Sequence, residues 1–181
     1  MEKNQPHIIR IALIGPESTS KSTLSEALAK HYNTVWVKEY AREYLSNLIK
    51  KYTLDDIVNI AQTQLKQEQK LIEHAKQFIF VDTELIISKV WCEDVFKTCP
   101  DWILQNITHY QYDYYLLTYP DLPWKNDPLR ENPNRREFFF NWYEKELKTI
   151  HANYTIIKGI GQNRLNKSIQ AIENFICTIP K

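Results

Sequence analysis

The stretch IIRIALIGPESTSKSTLSEALAKH, residues 8–31, decides the fold. Ile8–Ile14 is short, rich in isoleucine and apolar on both faces, the pattern of a parallel strand covered on each side. It ends at Gly15-Pro16. From Lys21 to His31 the apolar residues Leu24, Ala27 and Leu28 recur at helical spacing. Between them lies Gly15-Pro16-Glu17-Ser18-Thr19-Ser20-Lys21-Ser22-Thr23, a loop joining a buried strand to a helix. In that setting successive backbone N–H groups and the helix N-terminus make an anion cradle, a lysine can bridge phosphates, and the next hydroxyl can ligate Mg²⁺. The usual spacing is G-x4-G-K-[ST], and here Ser20 stands at the second glycine. An anion nest asks for left-handed backbone, which costs a residue with a Cβ ~1 kcal/mol or more.

Working outward, strands and helices alternate. Thr34–Val37, Phe78–Val81 (closed by Asp82), Tyr114–Thr118 and Tyr154–Lys158 read as strands. Glu39–Ile49, Leu54–Gln77, Leu85–Phe96 and Asn163–Ile176 read as helices, with Thr53 as the N-cap of the second. Trp142 with Phe138, Phe139 and Phe140 reads as a further helix packed on the sheet. The expectation is an α/β fold with five strands in a mainly parallel sheet. At 181 residues, against ~100–200 per domain, one domain is expected over 1–181.

Composition narrows the function. With 23 basic and 22 acidic residues and a net charge of +1, no dedicated nucleic-acid or membrane surface is expected. No apolar run approaches the ~20 residues of a membrane span, and Met1 to Arg10 has no signal core, so the expectation is cytoplasmic. Three cysteines without a CxxC pair suggest reduced, structural thiols. Glycine occurs three times in the chain, where average usage of ~7% would give about a dozen. The three are therefore expected where backbone geometry demands them.

Beyond the loop, Asp82 stands at the carboxyl end of a strand, where ligands gather in open α/β sheets. It could hold the shell of a Mg²⁺ ion or orient an acceptor hydroxyl. Glu39 and Arg42 follow the second strand and are expected on the acceptor side, Glu39 as a carboxylate and Arg42 as an anion or substrate contact. Glu84 is a further acceptor-side candidate, or else an acid suited to a helix N-terminus. Trp91 and Trp124 are candidates for touching an acceptor ring. Between strands four and five, residues 119–136 hold Pro120, Pro123, Pro128 and Pro133 with Arg130, Arg135 and Arg136. Such a connection reads as a lid whose arginines close on a transferring phosphoryl group.

These blocks together resemble the ribosylnicotinamide kinase domain of the bacterial NAD-biosynthesis NadR proteins, a P-loop kinase family. GPESTSKST (15–23), KEYAREYL (38–45), FVDTEL (80–85), YDYYLLTYPDLPWKNDPLRENPNRRE (112–137) and IIKGIGQNR (156–164) carry the resemblance. It implies a three-layer, nucleoside/nucleotide-kinase-like P-loop NTPase with a five-stranded parallel sheet and a lid. The implied activity is transfer of phosphate from ATP, with Mg²⁺, to the 5′-hydroxyl of nicotinamide riboside. Lys21 and Ser22 would serve ATP and Mg²⁺, Asp82 a metal or base role, and Glu39 the acceptor. Arg130, Arg135 and Arg136 would act from the lid, and Gly159 to Arg164, including Gly161, would approach the adenine. The sequence holds no HxGH adenylyltransferase motif and no helix-turn-helix portion. Two other readings stay open: a kinase of another small nucleoside or metabolite, and a non-catalytic ATP- or GTP-binding module with a degenerate loop. The expected partner is a small-molecule nucleoside, with room left for a homo-oligomer.

Overall fold

The computed structural model describes residues 7–179, so most of Met1 to Arg10 lies outside the described residues. Five strands, β1 (Ile9–Ile14), β2 (Val35–Val37), β3 (Phe78–Asp82), β4 (Tyr114–Thr118) and β5 (Tyr154–Ile157), form one sheet in the order β2-β3-β1-β4-β5. All four pairings are parallel. The helices are α1 (Lys21–His31), α2 (Tyr40–Ser46), α3 (Leu54–Leu71), α4 (Leu85–Phe96), α5 (Asp101–His109), α6 (Arg136–Thr149) and α7 (Gly161–Ile176).

Alternation along β1 explains the three layers. Ile9, Ile11 and Leu13 face a core made with Leu24 and Leu28 of α1 and Ala171 and Ile172 of α7. Ala12 and Ile14 face the opposite core, built with Ile57 and Leu65 of α3, Ile86 and Val90 of α4, Ile103 of α5 and Phe139 and Tyr143 of α6. A strand whose two faces both enter a core must read largely apolar, as residues 8–14 do apart from Arg10, which pairs with Glu68 of α3. The neighbours of β1 lie on either side and come later in the chain, so the connections diverge at its carboxyl end. In open α/β sheets that divergence opens a crevice.

Beyond shifts of one or two residues at element ends, three elements differ from the sequence reading. The helix after β2 stops at Ser46 rather than Ile49. The long helix ends at Leu71, followed by a short 3₁₀ turn at Ile72–His74 rather than continuing to Gln77. The helix α5 is absent from the sequence reading; Lys97, left-handed at φ 58°, ends α4, and Pro100 occupies the N-cap position of α5. Proline suits a helix start because the first turn leaves its N–H groups unpaired anyway.

Candidate active site

Strand register brings the loop and the carboxylates together. Leu13 of β1 lies opposite Asp82 of β3, and Val37 of β2 lies opposite Val81. The chain segments that leave β1, β2 and β3, carrying Gly15, Glu39 and Asp82, therefore emerge at one edge. Buried Gln64 of α3 fixes this arrangement. Its carbonyl accepts the Tyr40 amide at 2.8 Å, and its amide donates to the Asp82 and Thr83 carbonyls at 3.1 and 3.3 Å.

The loop itself has the left-handed turns a nest needs. Ser18 has φ 58° and Ser20 φ 61°, ψ 29°. Gly15 has φ 146°, and a Cβ there would stand 2.3 Å from the Thr118 hydroxyl and 2.7 Å from its carbonyl. Only glycine lets the loop pass the end of β4 that closely. Thr19, buried, bonds the Pro16 carbonyl at 2.8 Å and the Thr118 hydroxyl at 2.7 Å. The Lys21 ammonium donates to the Gly15 and Pro16 carbonyls at 2.9 and 3.0 Å, leaving one of its three donors for a ligand. Ser18, Ser20, Lys21, Ser22 and Thr23 line a cleft of about 290 Å³ with Glu39, Arg42, Asp127 and Arg130.

Asp82 is 0% exposed, and neither carboxylate oxygen has a hydrogen-bond partner among the described residues. Burial, then the charge of nearby Glu39, pushes its pKa up to about 7; Lys21, Ser22 and Arg42 pull the other way. A buried carboxylate with open oxygens beside a lysine and a serine hydroxyl is an unmet demand for a cation or a proton.

A second cleft, about 340 Å³, adjoins the first. Glu17, Lys21, Glu39, Arg42 and Leu129 line both. Its farther walls are Ile87, Trp91, Asp94 and Val95 of α4, Phe139 and Tyr143 of α6, and Tyr52. Tyr52 packs edge-on against Trp91, ring centroids 5.0 Å apart, and donates to Glu131 at 3.0 Å. The size falls in the ~300–1,000 Å³ range of small-molecule sites, with aromatic walls and a few polar groups. A model of the family described as an AAA domain matches residues 10–164. The chain belongs to the AAA-domain family.

This AAA domain resembles NadR proteins. It is 26% identical over 163 residues to the trifunctional NAD biosynthesis/regulator protein NadR of Salmonella typhimurium (strain LT2), covering 85% of this chain and 39% of that protein. Against the Escherichia coli (strain K12) protein of the same description it is 27% identical over 144 residues, covering 74% and 35%. The chain thus spans well under half the length of these relatives. A crystal structure of NadR protein in complex with NR superposes with a TM-score of 0.80 at 18% identity, over 96% of this chain and 52% of that one. The three-layer, five-stranded parallel P-loop fold is established on this footing.

Within this AAA domain not every residue singled out in the sequence reaches a cleft. Arg130 and Arg42 do; Arg42 pairs with Asp127 at 2.7 Å. Arg135 does not: it grips Asp94 of α4 through two bonds, at 2.9 and 2.6 Å, and lies over Phe138 and Phe139. Arg136 donates to the Leu122 carbonyl at 2.8 Å and lies 5.9 Å from the Trp124 ring, and neither it nor Trp124 lines a cleft. Glu84 takes the second of its two readings, a helix N-terminal acid: it caps α4, accepting the Ile86 amide at 2.9 Å. It faces the α3 side with Gln64 and Tyr112, where burial first of all raises its pKa to about 8. Two residues along the chain at a strand's end put Asp82 and Glu84 on different sides.

Arg164 was expected near the adenine and is instead 2% exposed. Its guanidinium donates to the carbonyls of Gly159 (2.6 Å), Thr19 (2.7 Å) and Tyr119 (3.0 Å) and pairs with Asp121. With four of its five donors spent, it bolts the phosphate loop to the ends of β4 and β5. Gly161 opens α7 at φ 55° with open space where a Cβ would be. Sequence reasoning missed Tyr52, Asp94 and Tyr143. Ile87, Trp91, Asp94 and Val95 recur at helical i, i+4, i+7 and i+8, the one signal that could have drawn Asp94 to Trp91's face.

Proposed function

We propose that the chain is an ATP-dependent kinase that moves the γ-phosphoryl group of ATP to the 5′-hydroxyl of nicotinamide riboside, giving nicotinamide mononucleotide and ADP. The observation that carries this reading is the meeting of two adjoining clefts at Glu39, with the buried, unpartnered Asp82 close enough for the two charges to interact. One cleft has a phosphate loop for its wall and the other has aromatic walls, as a donor site and a nucleoside site would. The relatives described above support the choice of acceptor.

The roles follow from position. Backbone N–H groups of the loop and the α1 N-terminus cradle the phosphates, while Lys21 offsets their charge. Asp82 and the Ser22 hydroxyl fit a Mg²⁺ ion. Both are hard oxygen donors, and no three His, Cys, Asp or Glu side chains cluster among the described residues as a full protein cage would need. Mg²⁺ bound there would neutralise charge on the β- and γ-phosphates. Glu39, reaching both clefts, orients the acceptor hydroxyl toward the γ-phosphorus and takes up the proton as the new P–O bond forms and the bond to ADP breaks. Arg130 adds positive charge over the phosphate cleft. Little covalent work falls to the protein; alignment and electrostatics supply the rate.

The test is a mass-spectrometric assay of purified protein with Mg-ATP and a pool of nucleosides containing nicotinamide riboside. Nicotinamide mononucleotide appearing in step with ADP is the expected result. Phosphorylation of a different pool member would keep the mechanism and replace the acceptor. ATP binding without any product would overturn the reading in favour of a binding module.

A further inference from the structure

Glu17 is an odd residue to find in a phosphate loop. A carboxylate beside a nest built for phosphates repels the ligand unless its charge is turned elsewhere. Here it is turned to the other side of the cleft. One oxygen accepts the backbone amide of Glu131 at 3.2 Å, and the other accepts the amide of Asn132 at 3.0 Å. These residues lie 114 and 115 positions away along the chain.

We propose that Glu17 is a positioning residue that latches the 119–135 connection over the two clefts, its backbone left to the phosphates and its side chain given to the lid. The inference rests on the kinase reading of the site. Glu131 and Asn132 line the nucleoside cleft, and their neighbour Arg130 lines the phosphate cleft. Fixing two consecutive amides therefore fixes where the Arg130 guanidinium and the acceptor wall stand relative to the loop. Ser18 adds a second, weaker tie: its hydroxyl accepts the Lys125 amide at 2.9 Å. Arg130 in turn donates to the Lys125 carbonyl at 2.8 Å. The connection holds no helix or strand of its own, so contacts of this kind set its place. Burial raises the pKa of Glu17, while the two amides and Lys21 favour its charged form. Carboxylate-to-amide bonds are stronger than neutral ones, so one side chain can hold a segment that the sheet does not. A latched lid excludes water, and water is the competing acceptor for a phosphoryl group.

The experiment reads amide hydrogen exchange and kinetics on the same variants, Glu17→Ala and Glu17→Gln, with Tm as the control for folding. In Glu17→Ala, exchange at Glu131 and Asn132 rises about tenfold or more, while amides of β1 and β3 keep their protection. The kcat for transfer falls about tenfold with the KM for ATP changed less than about threefold, and ATP hydrolysis without acceptor rises relative to transfer. Glu17→Gln, which keeps a carbonyl acceptor, restores part of both. A purely structural side chain would move Tm and leave that ratio alone. Unchanged exchange at Glu131 and Asn132 overturns the latch. If exchange rises as expected but the wild-type protein transfers no phosphate to any nucleoside, the latch stands and the kinase reading fails. Should Glu17→Ala not fold, Glu17→Gln decides by the same two readouts.

Discussion

The phosphate loop and the 119–135 connection border the same clefts but are held in different ways. The loop is fixed by short-range contacts and by strand ends. Lys21 returns to the Gly15 and Pro16 carbonyls, Thr19 joins Pro16 to Thr118, and Arg164 bolts the Thr19 carbonyl from behind. The connection leans on single side chains reaching across: Glu17 to the Glu131 and Asn132 amides, Arg42 to Asp127, Arg135 to Asp94. Two of these, Arg42–Asp127 and Arg135–Asp94, are partly exposed ion pairs, each worth ~0–1 kcal/mol. A wall held by many contacts thus faces one held by few, the arrangement our proposed lid requires if the site is to admit a ligand and then exclude water.

The largest expected effect falls on the rigid side. Asp82→Asn removes the open carboxylate without touching any contact of the connection. We expect kcat for transfer to fall by about 10³-fold, on the scale of losing one preorganised electrostatic group, with ATP binding weakened far less. Equilibrium binding of ATP measured beside turnover checks this, and normal turnover would remove Asp82 from the chemistry. Next in size is Arg164→Met. Removing the guanidinium leaves the Gly159, Thr19 and Tyr119 carbonyls without their donor, and each buried polar group left unmet costs ~1–3 kcal/mol. At ~2–4 °C per kcal/mol for a chain of this size, Tm drops by about 10 °C. If Arg164→Met were neutral, the contacts of Lys21, Thr19 and Thr118 would suffice to hold the loop.

The same contrast explains what the sequence could tell. The layers, the five strands and the loop were legible because each rests on a local pattern: two apolar faces in residues 8–14, helical spacing from Lys21, acids at strand ends. The fates of the arginines were not, because a guanidinium's partner is chosen by tertiary geometry. Arg130, Arg135 and Arg136 look alike in sequence. Yet one reaches the phosphate cleft, one grips Asp94 and one holds the Leu122 carbonyl. Arg164, placed by the resemblance in the segment approaching the adenine, turns out to be among the largest fully buried side chains. Asp82 and Glu84 show the same limit at two-residue spacing, since which side of the sheet edge each faces depends on the twist of the chain after the strand ends.

Asp82 also makes the rigid side sensitive to pH. Its pKa is about 7 in the folded chain, against ~3.9 in an unfolded one. The folded state therefore binds the extra proton between these values, and stability present below pH ~4 is lost as pH rises through about 7. Three units correspond to at most ~4 kcal/mol. Asp82→Asn escapes that loss, so without nucleotide and with a chelator present its Tm should exceed the wild type by several degrees at pH 8. The gap should close toward pH 4. Thermal scans across that range test the sign: a gap that is absent at pH 8 or widens in acid would mean that Asp82 is ionised at little cost.

The smallest expected effect is the most informative about the loop. Ser20 holds φ 61°, ψ 29° with no side-chain capping bond in return. The left-handed region costs an L-residue ~1–2 kcal/mol, while a glycine gives back ~0.4–1 kcal/mol through its freer unfolded chain. Ser20→Gly should therefore stabilise the protein by ~0.5–1 kcal/mol, raising Tm by ~1–4 °C. Because the backbone would already be in the nest conformation, the KM for ATP should change less than about threefold. A large drop in KM would mean that Ser20 distorts the cradle and that the loop is less finished than its dihedral angles suggest. A loss of stability would mean that the serine hydroxyl makes a contact worth more than the strain it carries. The first result would narrow the contrast between the two walls by showing the phosphate loop to be adjustable as well, whereas the second would widen it by adding a contact that holds the loop.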